Sequence, residues 1–177
     1  MGEYELLSRL DLKPGRYQLR VALNVSSLTT SGSLYYDVDV PDFQKAAVSF
    51  SGMVLAARPS PPVTPKDGLP GVLPVTPTTR RSFSASDRVV AFTRVYQGGK
   101  DAMVAVPLTV RLLNQNDLLM MDRQEVLPIN MFTTERSADV NIGLPLDRLP
   151  PGVYLLTLES KLGKTTAKRE VRFDVVK

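Results

Sequence analysis

Between Gly15 and Val40 apolar and polar residues alternate. Tyr17, Leu19, Val21 and Leu23 are interleaved with Arg16, Gln18, Arg20 and Ala22, and Leu34, Tyr36, Val38 and Val40 with Ser33, Tyr35, Asp37 and Asp39. A period of two puts each apolar set on one face of a strand, so the stretch predicts two antiparallel strands with one face on a core and one toward solvent. Thr29-Thr30-Ser31-Gly32 supplies turn residues that join them into a hairpin. Toward the other end of the chain the pattern returns. Tyr154, Leu156, Leu158 and Leu162 share one face, Val171, Phe173 and Val175 another, with Leu162-Gly163-Lys164 between them.

The two stretches are also alike residue by residue. LKPGRYQLRV (12–21) and LPPGVYLLTL (149–158), aligned on Gly15 and Gly152 at a spacing of 137, match at Leu12/Leu149, Pro14/Pro151, Gly15/Gly152, Tyr17/Tyr154 and Leu19/Leu156. Without a gap, Tyr36-Asp37-Val38 then falls on Phe173-Asp174-Val175. A register held across both strands implies two copies of one supersecondary unit. Pro-Gly before each first strand fits a type II turn, proline fixing φ at about −65° and glycine taking positive φ. Tyr17 and Tyr154 fit the tyrosine corner of sandwich folds, in which a phenol bonds backbone across a turn. Pro14, Gly15, Tyr17, Pro151, Gly152 and Tyr154 are therefore read as turn and corner residues.

Between the copies, Val48 to Ala57 reads as a strand bent at Gly52. Pro59 to Thr79 holds seven of the 14 prolines, which interrupt a strand ladder because proline lacks the amide donor. That segment is either a linker with polyproline character or a loop packed over the sandwich edge through Leu69, Val72, Leu73 and Val75. Further strands are expected near 89–96, 105–113, 118–126, 137–144, 152–161 and 166–176, with turns at Gly98-Gly99 and Asn114-Gln115-Asn116-Asp117. With 48–57 these make the short strands and regular turns of an all-β, Ig-like antiparallel β-sandwich. The expected division is a closing hairpin of a preceding, truncated sandwich at 1–43, a strand plus Pro-rich linker or crossover at 44–79, and the Ig-like sandwich at 80–177.

Composition narrows the chemistry. The chain has no histidine and no cysteine, which removes the usual general base near neutral pH, imidazole-dependent triads, disulfides and thiolate metal sites. Net charge is +4, with Lys161, Lys164, Lys168, Arg169, Arg172 and Lys177 near the end. Without interleaved exposed aromatics this cluster reads as a solvated outer strand whose lysines discourage edge pairing, and no nucleic-acid partner is expected. No apolar run approaches the roughly 18 residues of a membrane span. Met1-Gly2 leads into YELLSRLDL with no signal-peptide pattern, which fits either a cytosolic protein or a chain that begins inside a longer one.

Small constellations fall short of sites. Asp37, Asp39 and Asp42 lack the glycine turn and distal glutamate of a calcium loop. Ser31-Gly32-Ser33 and Ser84-Ala85-Ser86-Asp87 lack the aspartate that a metal-ion-dependent adhesion site places two residues earlier. Gly98-Gly99-Lys100 lacks the rest of a phosphate loop and reads as a hairpin turn. No cofactor is expected. For docking, the sticky run at Leu118, Met120 and Met121 and the face formed by Tyr17, Leu19 and Val21 are the candidates, since an incomplete sandwich must cover that face.

The stretches YELLSRLDLKPGRYQLRVAL, SGSLYYDVDVPDF, SGMVLAA, RVVAFTRVYQGG and LPLDRLPPGVYLLTLESKLGKTTAKREVRFDV span nearly the whole chain. In them it resembles the C-terminal region of bacterial proteins, abundant in Acidobacteria, called VWFA-related after the von Willebrand factor type A-like domain that precedes it. The resemblance implies a β-rich region downstream of an A-type domain in exported, extracytoplasmic proteins. It transfers no functional residue, because the family's metal-adhesion chemistry belongs to the upstream domain. The expected function is a noncatalytic structural or protein-interaction module of a larger protein. The alternative is a glycan-type ligand-binding module that uses loops at one end of the sandwich. Expected partners are other domains of the same polypeptide, another protein, or a second copy through the incomplete first sandwich.

Overall fold

The structure, a computed structural model, describes residues 5–25, 30–60, 62–65, 69 and 71–177. Its strands are β1 (Glu5–Leu6), β2 (Gly15–Val25), β3 (Thr30–Val40), β4 (Ser49–Phe50), β5 (Val54–Arg58), β6 (Val63–Thr64), β7 (Ser82–Ser84), β8 (Arg88–Tyr96), β9 (Val106–Asn114), β10 (Leu119–Leu127), β11 (Ser137–Gly143), β12 (Gly152–Leu162) and β13 (Thr165–Val176). They fall into two compact units. One is Leu10–Asp42; the other joins the described part of Met1–Arg9 to Phe43–Lys177.

The larger unit is an all-β sandwich. One sheet runs β10-β9-β12-β13-β7, antiparallel except for the parallel β13–β7 pair. The facing sheet is β11-β8-β4, with β5 also on β8. Alternation builds the core. Val106, Leu108, Val110 and Leu112 of β9 are buried between exposed or half-buried Pro107, Thr109 and Arg111, and Tyr154, Leu156 and Leu158 of β12 meet the same interior. From the other sheet come Phe50, Leu55, Ala57, Val89, Ala91, Val95, Ala138, Val140 and Ile142. Burial of this apolar surface is the main force holding the two sheets together.

The bend at Gly52 is a β-bulge. Ser49 and Phe50 pair with Tyr96 and Val95, whereas Val54 to Arg58 pair with Phe92 to Arg88, one residue out of step. The extra residue reverses which positions face inward, so Val48 and Phe50 before the break and Leu55 and Ala57 after it are all buried. Arg169 reaches the break from the opposite sheet. It pairs with buried Leu158 on β12, and its guanidinium donates to the Ser51 carbonyl (2.8 Å) and the Phe50 carbonyl (2.6 Å). This arginine therefore does not belong to a solvated outer face as the basic cluster suggested. The residue lies on the inner face of its strand and ties the two sheets together.

The Pro-rich segment packs against the larger unit. Gly71 lines a hollow with Arg94 and Asp139, and Pro74, Val75 and Thr76 line another with Val90 and Asn141, so this stretch runs over the outer face of the β11-β8-β5 sheet. Beyond it the Thr78 amide donates to the Leu55 carbonyl (2.7 Å). Glu5 fastens the same point: one carboxylate oxygen accepts from the Thr78 hydroxyl (2.7 Å), the Thr79 amide (2.7 Å) and the Thr79 hydroxyl (2.9 Å). Burial works against this carboxylate, but these bonds outweigh it and hold its pKa below the ordinary value. The short parallel pair β1–β6 lies alongside.

Gly98 and Gly99 do not close a hairpin, because β8 and β9 lie in different sheets. Their amides donate to the Ala46 (2.9 Å) and Gln44 (2.7 Å) carbonyls. That approach leaves no room at Gly98, where a Cβ would lie 2.6 Å from the Ala46 oxygen. Asn114 to Asp117 do form the expected turn, with the Asn114 side chain accepting from the Asn116 and Leu118 amides.

Candidate docking surface

The unit Leu10–Asp42 is built around the ribbon β2–β3, and among the described residues neither strand pairs with any other. Its register places Tyr17 opposite Val38, Leu19 opposite Tyr36, Val21 opposite Leu34 and Leu23 opposite Gly32. Among these pairs one face therefore carries no charged side chain. The other carries Arg16 opposite Asp39, Gln18 opposite Asp37 and Arg20 opposite Tyr35. These polar residues satisfy one another: Gln18 donates to Asp37 (3.1 Å), Arg16 lies 3.7 Å from Asp39, and the Arg20 guanidinium sits 5.4 Å from the centre of the Tyr35 ring. Two of the aspartates considered as calcium ligands, Asp37 and Asp39, are thus cross-strand partners on the polar face, and Asp42 lies past the end of β3.

The apolar face is open. Val21 is 55% exposed, Leu23 54%, Leu34 55% and Tyr36 65%. The matching positions of β12–β13 are closed: Tyr154, Leu156, Leu158, Val171 and Phe173 are all buried in the sandwich. Equivalent side chains therefore build an interior in one hairpin and a surface in the other. A lone two-stranded ribbon is marginal in water, and an open apolar face of this kind is the feature to weigh as a docking surface.

The two hairpins differ in one respect that their aligned sequences hide. Tyr17 pairs with Val38, but Tyr154 pairs with Phe173, the counterpart of Tyr36. The pairing is shifted by two residues because four positions, 26–29, separate β2 from β3, whereas Gly163 and Lys164 alone separate β12 from β13. An even shift leaves every residue on its original face, so the apolar stripe survives. It also moves the tip. Ser31 and Gly32 of the expected turn are paired strand residues, and Thr29 lies outside the described residues.

Both tyrosines fold back toward the chain before them. Tyr154 donates to the Pro150 carbonyl (2.6 Å) and stacks on Phe173 with ring centres 5.7 Å apart. Its burial raises the phenol pKa. Tyr17 donates to the Lys13 carbonyl (2.9 Å), also four residues back. Glycine freedom is not common to the two turns: φ is +154° at Gly15, but Gly152 is not among the glycines with positive φ. A type II turn needs φ of about +80° at the glycine, so that expectation holds in neither copy. What the turns share is the tyrosine ring lying near the glycine, 3.6 Å from a Cβ built at Gly15 and 4.0 Å from one at Gly152. Pro14 and Pro151 are exposed just ahead of these glycines.

The other docking candidates sit on β10, the edge of the five-stranded sheet. Leu118 is exposed in the turn before it, Met120 is exposed at an irregularity in the β9–β10 pairing, and Met121 packs against the core. Past that irregularity Arg123 and Glu125 pair with buried Val110 and Leu108 and bond each other at 2.8 Å. Charges on the inward side of an edge strand oppose further strand addition. Of the six docking candidates, Tyr17, Leu19 and Val21 share a continuous apolar face; Leu118, Met120 and Met121 are distributed along a guarded edge. Reasoning from β2 alone missed the β3 half of that face, although the alternation of Leu34, Tyr36 and Val38 marks it.

At one end of the sandwich a hollow of about 790 Å³ is lined by Phe43, Lys45, Tyr96, Lys100, Glu135 and Arg136 among others. The Phe43 and Tyr96 rings stack on one another at 4.3 Å. The Arg136 guanidinium is engaged by the Gln97, Gly98 and Asp101 carbonyls. Its conspicuous groups thus fasten the 43–46 segment and the loop after β8. No family model matches the chain, and a search of curated proteins finds none similar to it.

Proposed function

We propose that the chain is a noncatalytic interaction module, a β-sandwich that carries a docking hairpin, within a larger exported protein of the VWFA-related type. The observation that carries this reading is the apolar face of β2–β3, exposed at Val21, Leu23, Leu34 and Tyr36 while its counterpart in β12–β13 forms a sandwich interior. The lack of histidine and cysteine supports the noncatalytic part. Such a module binds through apolar area, with the polar face of the ribbon left toward solvent. The extracytoplasmic setting and an upstream A-type domain follow from the resemblance and belong to the same proposal.

Dye binding tests the docking role. A hydrophobic dye such as anilinonaphthalene sulfonate should fluoresce with the dilute chain and lose that signal in the double variant Val21→Asp/Leu34→Asp. The unfolding midpoint of the sandwich should stay unchanged. A dilute wild-type chain that binds no dye, or a variant that binds as much, contradicts the role.

A further inference from the structure

We propose that Arg58 and Arg88 form a binding site for the terminal phosphate of a small molecule, a site in the sandwich that does not depend on the docking hairpin. The two arginines are direct cross-strand partners, Arg58 ending β5 and Arg88 opening β8. Like charges placed this way disfavour a strand pair. Nothing in the chain relieves them: among the described residues, Arg58, Arg88 and Arg172 are the only arginines whose side chains make no hydrogen bond, ion pair or ring contact. Asp87, beside Arg88 in the chain, is committed to Arg80 (3.2 Å) and to the Ser84 amide (2.8 Å). Farther along β8, Arg94 faces Asp139 across the strand pair and bonds it. At Arg88 the facing residue is a second cation instead.

Both arginines line one hollow of about 440 Å³, a volume within the range of small-molecule sites. Ser60 and Thr76 add hydroxyl donors, Pro74 and Val75 give it an apolar wall, and no carboxylate lines it among the described residues. Arg58 and Arg88 are exposed, so a solute can reach them. Charge and geometry select the ligand. One guanidinium fork takes both oxygens of a carboxylate, which leaves the second arginine unmatched. A phosphate monoester at neutral pH carries close to two negative charges and three acceptor oxygens on one centre, enough for two forks that approach from neighbouring strands. The apolar wall then receives the organic part of the ester.

Calorimetric titration of the 177-residue chain with phenyl phosphate tests this, at constant ionic strength and up to about 10 mM ligand, which covers millimolar dissociation constants. Inorganic phosphate and benzoate serve as comparison ligands. Phenyl phosphate should saturate one site, more tightly than inorganic phosphate and about tenfold more tightly than benzoate, the equivalent of one charge-assisted bond. Arg58→Gln and Arg88→Gln should each weaken it by a similar factor. Without ligand their unfolding midpoints should be no lower than wild type, because each removes a like-charge contact. Arg172→Gln should leave binding unchanged, since Arg172 is equally unpaired but does not line the hollow. Absence of saturation, benzoate bound as tightly as phenyl phosphate, or an equal loss in Arg172→Gln overturns the site. Inorganic phosphate bound as tightly as the ester overturns the small-molecule ligand and assigns the free anion in its place.

Discussion

Single residues fix the junctions of this molecule, and four of them give sharp expectations. Tyr154→Phe removes the part-buried bond to the Pro150 carbonyl, which should cost about 1 kcal/mol of sandwich stability in urea unfolding. Tyr17→Phe removes the same bond from the separate hairpin unit and should leave that transition where it is; equal shifts would contradict the division into units. Gly98→Ala drives a methyl group into the Ala46 and Gln44 backbone. The overpacking should cost about 2 kcal/mol, and a variant as stable as wild type would mean the 43–46 segment gives way freely. Glu5 makes stability depend on pH. Its folded pKa lies below its unfolded value of about 4.3, so its contribution is complete above that value and is lost as pH falls through the lower, folded one. Glu5→Gln should therefore flatten the decline of the unfolding midpoint in that acidic window, and an unaltered slope there would remove Glu5 as the anchor of Thr78 and Thr79.

Elements show what can be read from local pattern. The expected strands at 89–96, 105–113, 118–126, 137–144, 152–161 and 166–176 correspond to β8 through β13 with ends displaced by a residue or so, because each carries a period-two stripe long enough to declare itself. The break at Gly52 was also legible. β7, β1 and β6 were not, since two or three residues carry no periodicity and owe their form to pairing with distant chain. Arg169 was hidden for a related reason: its partners, the Phe50 and Ser51 carbonyls, lie more than a hundred positions away and are presented only after the bulge forms. Arg169→Met leaves both carbonyls without that donor. The expected loss is about 2 kcal/mol, within the range of bonds to charged groups, and a midpoint equal to wild type would show that the bulge holds without the inter-sheet tie. At β10 the docking guess rested on the run of leucine and methionine. The irregularity after Leu119 sets which positions face inward, and no local pattern announces it.

At the scale of the whole molecule, the repeated hairpin was readable as a repeat, but its two fates were not, because burial depends on what lies opposite. β12–β13 found a facing sheet and became core; β2–β3, with a matching stripe, keeps it open. No helix among the described residues is long and apolar enough to cross a membrane. The hairpin face, exposed at Val21, Leu23, Leu34 and Tyr36, is where the proposed docking role rests. The central claim is that this face is unsatisfied until something docks on it. Hydrogen exchange followed amide by amide, at a concentration well below association, tests it most directly. The amides of β2 and β3 should then exchange far faster than those of β12 and β13. Protection of β2–β3 equal to that of β12–β13 in the dilute chain would contradict the claim, because the ribbon would then need no partner.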